Sequence, residues 1–242
     1  MLTFVNQKIK RVSLTHPVDE VYQHDSDNFI SHGLTPEQLI VKIARVSSSR
    51  QDKTEEPEKL INYLIKNKHW SPFEQVDIAY EIVTTRAIGT QLLRHRSFTF
   101  QEFSQRYAQV HEVIMPEIRK QADKNRQSSE EVFDPEIKVL VHDSEVEYAK
   151  LPAAMAVTLL IEHAKAVYDG LLEAGVAKEC ARNILPMCAA TKIYMKGSLR
   201  SWLHFLDVRL DSHAQKEIQE LAQEIYADLK SVFPNVLTAY YG

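Results

Sequence analysis

Apolar residues recur along this chain at two spacings, one suited to helices and one to strands. Residues 1–15 alternate loosely, as an opening strand would. In "GLTPEQLIVKIARVSS" the period lengthens: Thr35 is placed to cap a helix that starts at Pro36, with Leu39, Ile40, Ile43 and Val46 along one side. A polar connection follows, then a second helix over Pro57–Lys68 with Leu60, Ile61, Leu64 and Ile65 at helical spacing. In "SPFEQVDIAYEIVT" the period shortens to two. Val76, Ile78, Tyr80 and Ile82 alternate with Gln75, Asp77, Ala79 and Glu81, the pattern of a half-buried strand. "TRAIGTQLLRH" reads as a short helix.

Periodicity fades from about His111 to Leu151, where "RKQADKNRQSSEE" reads as an exposed excursion. It returns in "PAAMAVTLLIEHAKAVYDGLLEAG", a helix with Met155, Leu159, Ala166, Val167 and Leu171 on neighbouring turns and Gly170 or Gly175 near its end. "VAKECARNILP" gives a further short helix stopped by Pro186. The final helix is expected to start at Ser212, in a capping box with Gln215, with Ile218, Leu221, Ile225 and Leu229 as its apolar face. No repeat or linker divides the chain, so one domain over residues 1–242 is expected.

Composition narrows the functional classes. A hydrophobic share of 44% with 26% charged residues suits a packed globular protein, and a net charge of -4 argues against a general nucleic-acid or membrane-surface binder. The two cysteines, Cys180 and Cys188, lack Cys-x-x-Cys spacing and are expected to be buried free thiols, in a reducing, cytoplasmic setting. The first residues form no apolar run of signal-peptide length, and no segment reaches membrane-spanning length. HExxH and zinc-type Cys/His spacings are absent, so no metal site is expected, and with six glycines there is no dinucleotide fingerprint.

Functional groups crowd into four stretches instead: "HWSPFEQ", "QLLRHRSFTFQEFSQRY", "ECARNILP" and "SLRSWLHFLDVRLDSHAQ". In the second, Arg94, Arg96 and Arg106 are interleaved with Phe98, Phe100, Phe103 and Tyr107. Charge beside rings that need burial must be paired or must hold a ligand. Guanidinium groups are bidentate donors for phosphates or for a heterocycle carrying negative charge. Glu102 supplies an acceptor able to hold a sugar hydroxyl or fix an arginine. A phosphorylated, ring-bearing ligand fits this set. A non-enzymatic RNA- or nucleotide-binding module that stacks bases on aromatic rings remains an alternative at this point.

The four stretches, in this order, resemble the signature blocks of the flavin-dependent thymidylate synthases, the ThyX family. The central block runs Arg94-His95-Arg96, Thr99, Gln101, Glu102, Ser104, Arg106-Tyr107. The resemblance implies an α+β fold, a mainly antiparallel sheet flanked by several helices. It also implies a homotetramer with active sites between subunits. The implied reaction converts dUMP to dTMP with FAD as cofactor, 5,10-methylenetetrahydrofolate as carbon donor and NADPH as reductant. By matched position, Gln91, Arg94, Glu102, Ser104, Gln105, Arg106, Arg182 and Arg209 would contact dUMP. Ser71, Glu74, Arg94, His95, Arg96, Gln101, Glu102, Ser198, Arg200 and His204 would line the flavin site. Ser47 is a further candidate for a flavin phosphate, and His69 and His213 match histidines near the flavin ring. Gln101, Thr99, Ser198 and His204 depart from the residues usual in the family. Arg209 is implied as the catalytic residue, ionising N3 of the uracil.

Overall fold

The structure, a computed structural model, describes residues 2–17, 34–49, 53–142 and 147–242. Its frame is a four-stranded antiparallel sheet in the order β2 (Lys8–Leu14), β3 (Asp77–Thr85), β10 (Ala190–Ser198), β4 (Thr99–Glu102). A two-residue β1 (Thr3–Phe4) pairs in parallel with β5 (Glu112–Val113). The remaining strands form two hairpins, β6 (Arg119–Gln121) with β7 (Ser129–Val132) and β8 (Glu136–His142) with β9 (Glu147–Pro152). The helices are α1 (Pro36–Ala44), α2 (Pro57–Lys66), α3 (Arg86–Leu92), α4 (Ala153–Glu173), α5 (Lys178–Ala181), α6 (Leu199–Arg209), α7 (Lys216–Val232) and α8 (Pro234–Tyr241). The α+β architecture anticipated from the family blocks is therefore present, and among the described residues no helix is long and apolar enough to cross a membrane.

Local chemistry explains most boundaries. The Thr35 hydroxyl accepts from Gln38 N while Gln38 Oε1 accepts from Thr35 N, a full capping box at α1. The buried face of α1 is centred on Ile40 and Val41; Val46, expected on it, lies past the helix end and is exposed. The long helix α4 stops at Gly175, which adopts φ +85, while Gly175 N donates to Leu172 O and Val176 N to Leu171 O. That pair of bonds is a Schellman closure, which needs a left-handed residue. In β3 the expected alternation holds for Ile78, Tyr80 and Ile82, but Ala79 is buried as well, on a strand flanked by β2 on one side and β10 on the other.

Three expectations fail. On α4, Met155, Leu159 and Val167 are exposed, and the buried positions are Ala153, Ile161, Lys165 and Tyr168. The last long helix starts at Lys216 rather than Ser212. Asp211 accepts from His213 N at 2.8 Å and Ala214 N donates to Asp211 O, so residues 211–214 close a separate turn ahead of the helix. Finally, the charged excursion is not featureless. The Arg119 side chain is only 10% exposed: Nε donates to Ser129 Oγ, Nη1 pairs with Glu117 at 3.0 Å and Nη2 with Glu217 at 2.7 Å. The first hairpin is thereby bonded to the start of α7.

The core lies between the sheet and α1, α2, α6, α7 and α8, with Phe73, Tyr80, Trp202, Phe205 and Phe233 fully buried. Tyr80 and Trp202 meet edge to face at 5.0 Å, and Trp202 Nε1 donates to Ile78 O, so the ring's polar atom is satisfied inside the core. One buried carboxylate holds two distant elements together. Glu37, 4% exposed on α1, accepts from Asn235 N (2.8 Å), Val236 N (3.0 Å) and Asn235 Nδ2 (2.6 Å), capping α8, which has no side-chain cap of its own. Burial raises the Glu37 pKa while these donors pull it down. Replacing Glu37 by alanine strands two helix-end N–H groups. Glu37→Ala is expected to lower the unfolding free energy by about 2–3 kcal/mol, read as a reduced urea midpoint at unchanged slope.

Candidate active site

The first two aromatic residues of the arginine-rich block set its geometry. Phe98 is buried, its ring 4.6 Å from Trp202 and 6.3 Å from Phe205, both on α6. Phe98 also lies on Gly197 of β10: a Cβ at Gly197 would come within 2.5 Å of the Phe98 ring. Phe100 follows on β4, where it opposes Met195. The polar residues between α3 and β4 are thus held above the sheet by an apolar foot, leaving Arg94 and Arg96 exposed.

One cluster gathers around Arg209, at the last turn of α6. Its Nε donates to His95 Nε2 at 2.9 Å, Nη2 donates to Gln91 O at 3.3 Å and Nη1 reaches Gln91 Oε1 at 3.5 Å. Gln91 Nε2 in turn donates to Gln215 Oε1 at 2.7 Å, at the N-cap of α7. Gln215 Nε2 continues to Glu217, the residue that also pairs with Arg119. Burial lowers the pKa of Arg209, and the neighbouring positive charge of Arg94 lowers it further. Neither arginine has a carboxylate partner among the described residues. His95 is driven down to about pKa 4, first by burial and then by the charges of Arg209 and His204. A neutral imidazole accepting at Nε2 carries its proton on Nδ1.

A second cluster centres on Glu102 of β4. Arg86, the first residue of α3, forms an ion pair with Glu102 Oε1, and the buried Thr191 hydroxyl donates to the same oxygen at 2.9 Å. Arg86 was absent from the sequence expectations. It precedes the arginine-rich block, and only the antiparallel register of β4 on β10 brings its partner to it.

A third cluster lies towards α5. Arg106 pairs with Glu179 at 3.0 Å, beside a cavity of about 360 Å³ lined by Ser104, Arg106, Tyr107 and residues 177–179. Gln105 is 7% exposed, and its buried Nε2 has no hydrogen-bond partner. Arg182 opens the short 3-10 turn Arg182–Ile184 after α5 and forms no ion pair among the described residues. Among those residues no hydrogen bond or ion pair joins this third cluster to Arg209 within one chain.

The fourth cluster surrounds the start of α6. Ser198 caps the helix, its hydroxyl accepting from Ser201 N at 3.3 Å. Arg200 is ion-paired with Glu74 in the 3-10 turn Ser71–Gln75, and Ser201 Oγ donates to Ser97 O. His204 is one helical turn beyond Arg200 and close enough for its charge to be felt at His95. Gln101 is exposed on β4 opposite Tyr194. Ser71 is exposed in the same 3-10 turn, and Ser47 is exposed beyond α1. His69 packs edge to face on Tyr63 at 5.8 Å, and the His213 ring meets Asp211 at 2.7 Å. Because α7 begins at Lys216, its N-terminus does not lie at Ser212 as the capping-box reading required.

The α+β frame that carries these clusters is similar to that of a solved structure. The structure superposes with a TM-score of 0.72 on the UMP/dUMP methylase PolB from Streptomyces cacaoi, crystallised with 5-Br dUMP, over 99% of this chain and 97% of that one at 22% identity. Sequence comparison is narrower still. Residues 28–235 match the family described as thymidylate synthase complementing protein. The chain is 43% identical over 206 residues to the flavin-dependent thymidylate synthase of Synechocystis sp. (85% of this chain, 90% of that protein). It is 37% identical over 232 residues to the probable flavin-dependent thymidylate synthase of Paramecium bursaria Chlorella virus 1 (95% and 97%). The chain belongs to the flavin-dependent thymidylate synthase family.

Two outcomes follow from the geometry. Gly197→Ala is expected to cost about 1–3 kcal/mol, because Phe98 is confined by Trp202 and Phe205 and cannot yield freely; thermal unfolding reads it. The His95 pKa lies below its usual value, so the folded state disfavours the imidazolium, and any stability this imposes is present above about pH 6.5 and lost as pH falls towards about 4. Imidazole NMR resonances of His95 should titrate near pH 4. A midpoint at or above pH 6 contradicts the arrangement.

Proposed function

We propose that this protein is a flavin-dependent thymidylate synthase that methylates dUMP to dTMP. In this reading FAD is the bound cofactor, 5,10-methylenetetrahydrofolate gives the carbon and NADPH is the reductant. The observation that carries it is the Arg209 guanidinium, half-buried, held by His95 and Gln91 and within reach of the Arg94 charge, with no carboxylate partner for either arginine among the described residues of a chain that is acidic overall. Positive charges that repel across a half-buried site favour an anion between them. A phosphorylated pyrimidine supplies that anion.

The proposed chemistry follows from the same residues. Uracil C5 is a weak nucleophile towards a one-carbon electrophile. A guanidinium at N3 and its adjacent carbonyl stabilises negative charge spread over the ring, which raises electron density at C5. Arg209 takes that role: His95, neutral and accepting at Nε2, fixes the Arg209 Nε, and Gln91 holds its other side. Fixing the donors beforehand avoids reorganisation when the charge develops. Thiolate addition at C6 is the other route to an activated C5, and Cys188 does not favour it, since burial raises its pKa and keeps it a thiol. Arg106, Arg182, Ser104 and Gln105, whose buried Nε2 lacks a partner, form the donor set for the rest of the nucleotide.

The residues around the start of α6 fit the flavin. Arg96 is exposed and without an ion pair among the described residues, and Ser71, Glu74, Gln101, Ser198, Arg200 and His204 are carried by the 3-10 turn, β4 and the start of α6. When bound, the reduced flavin supplies the hydride that completes the methyl group. In this reading the chain forms a homotetramer. The exposed apolar positions Met155, Leu159, Leu160 and Val167 of α4 support it as a face that a second copy would cover, and the separation of the Arg106 and Arg182 donors from Arg209 within one chain fits a site completed between subunits. Removing the N3-facing charge is the direct test. Arg209→Ala is expected to lower dTMP formation by at least about 10²-fold while the purified protein keeps its yellow flavin. Turnover near that of the unsubstituted protein refutes the assignment.

A further inference from the structure

Glu102 has two carboxylate oxygens, and the protein uses only one. Arg86 and Thr191 both donate to Oε1, while Oε2 has no partner among the described residues; the side chain is 22% exposed. Both donors are fixed. Thr191 is 2% exposed on the interior strand β10, two residues before Ile193, which lies opposite Glu102 in the sheet. Arg86 begins α3, and its backbone N–H donates to Ala189 O at 3.0 Å, while Ala87 N donates to Met187 O at 3.1 Å. Close approach of α3 to the sheet depends on Gly89, where a Cβ would sit 3.2 Å from both Ile193 Cδ1 and Thr191 Cγ2. Helix, strand and carboxylate are therefore built to one geometry.

We infer that Arg86 and Thr191 are positioning residues for Glu102: they saturate Oε1 and present Oε2 as a fixed acceptor for a hydrogen-bond donor of the nucleotide. This rests on the dUMP reading of the site. A free glutamate samples many rotamers, and ordering it on binding costs affinity. Here that ordering is complete before the ligand arrives. Neither Arg86 nor Thr191 needs to touch the ligand for this role.

Calorimetric titration of dUMP into the flavin-loaded protein tests it without relying on turnover. Arg86→Met should raise the dUMP dissociation constant about tenfold, the scale of one hydrogen bond to a charged group. Thr191→Val, which keeps the shape and removes the hydroxyl, should raise it about threefold to tenfold, and Thr191→Ser should restore it to within about twofold. In a Glu102→Gln background, Arg86→Met should add less than about a further twofold, because the two residues act through one group. A structural role alone does not produce that cancellation. Equal dUMP affinity in the unsubstituted protein, Arg86→Met and Thr191→Val overturns the inference while leaving the functional reading intact. So do fully additive effects of Arg86→Met and Glu102→Gln. Failure of the unsubstituted, flavin-loaded protein to bind dUMP overturns both.

Discussion

The contact between the Phe98 ring and Gly197 is the constraint on which the site depends. It joins three parts of the chain that are far apart in sequence: the arginine-rich loop, the interior strand β10 and, through Trp202 and Phe205, helix α6. Polar residues alone do not achieve this. Arg94 and Arg96 are exposed, and an exposed ion pair is worth at most about 1 kcal/mol. Burying one phenylalanine contributes about 1.5–3 kcal/mol and has a shape that admits only one seat. The charged groups are consequently held in place by an apolar side chain, and His95 and Arg209 meet because Phe98 and Phe205 have already met.

That scaffold brings together charges that repel. Arg209 is half-buried beside Arg94, and its pKa is lowered by burial and by that neighbour. His95 answers this by remaining neutral and accepting the Arg209 Nε. The surroundings of Glu102 are the mirror image, a carboxylate that is matched by Arg86 and the Thr191 hydroxyl. The site thus contains one region with charge to spare and one that is balanced. Under the proposed function the nucleotide completes the first region and is read by the second.

Much of this was legible in the sequence because it is local. The Thr35 N-cap, a helix end at Gly170 or Gly175 and the alternation of Ile78, Tyr80 and Ile82 each depend on residues within a few positions; the structure has the cap and the alternation, and sets the helix end at Gly175. Ser212 misled because Asp211 competes for the same backbone: its carboxylate takes the His213 N–H and closes a turn before the helix can begin. Arg119 was hidden for another reason. A charged residue among charged residues reads as solvated, and nothing nearby reveals that Glu217, 98 positions further on, will bury it. Arg86 escaped in the same way, since the register of β4 on β10 and the close seat of α3 over Gly89 create its partnership. Site chemistry was visible where the four blocks cluster in sequence, and invisible where topology makes the pair.

The hairpin β6–β7 shows how far such pairing reaches. Arg119 spends all three guanidinium nitrogens on Ser129, Glu117 and Glu217, and Lys216 pairs with the same Glu117 at 2.7 Å. With its side chain only 10% exposed, Arg119 ties the hairpin to the start of α7. That same helix start presents Gln215 to Gln91, and Gln91 holds Arg209. A segment without apolar rhythm is thereby part of the frame that fixes the N-terminal end of α7 against α3. Its order comes from ion pairs between distant residues rather than from burial of its own side chains, which is why its sequence carries charge where the other elements carry leucine and isoleucine.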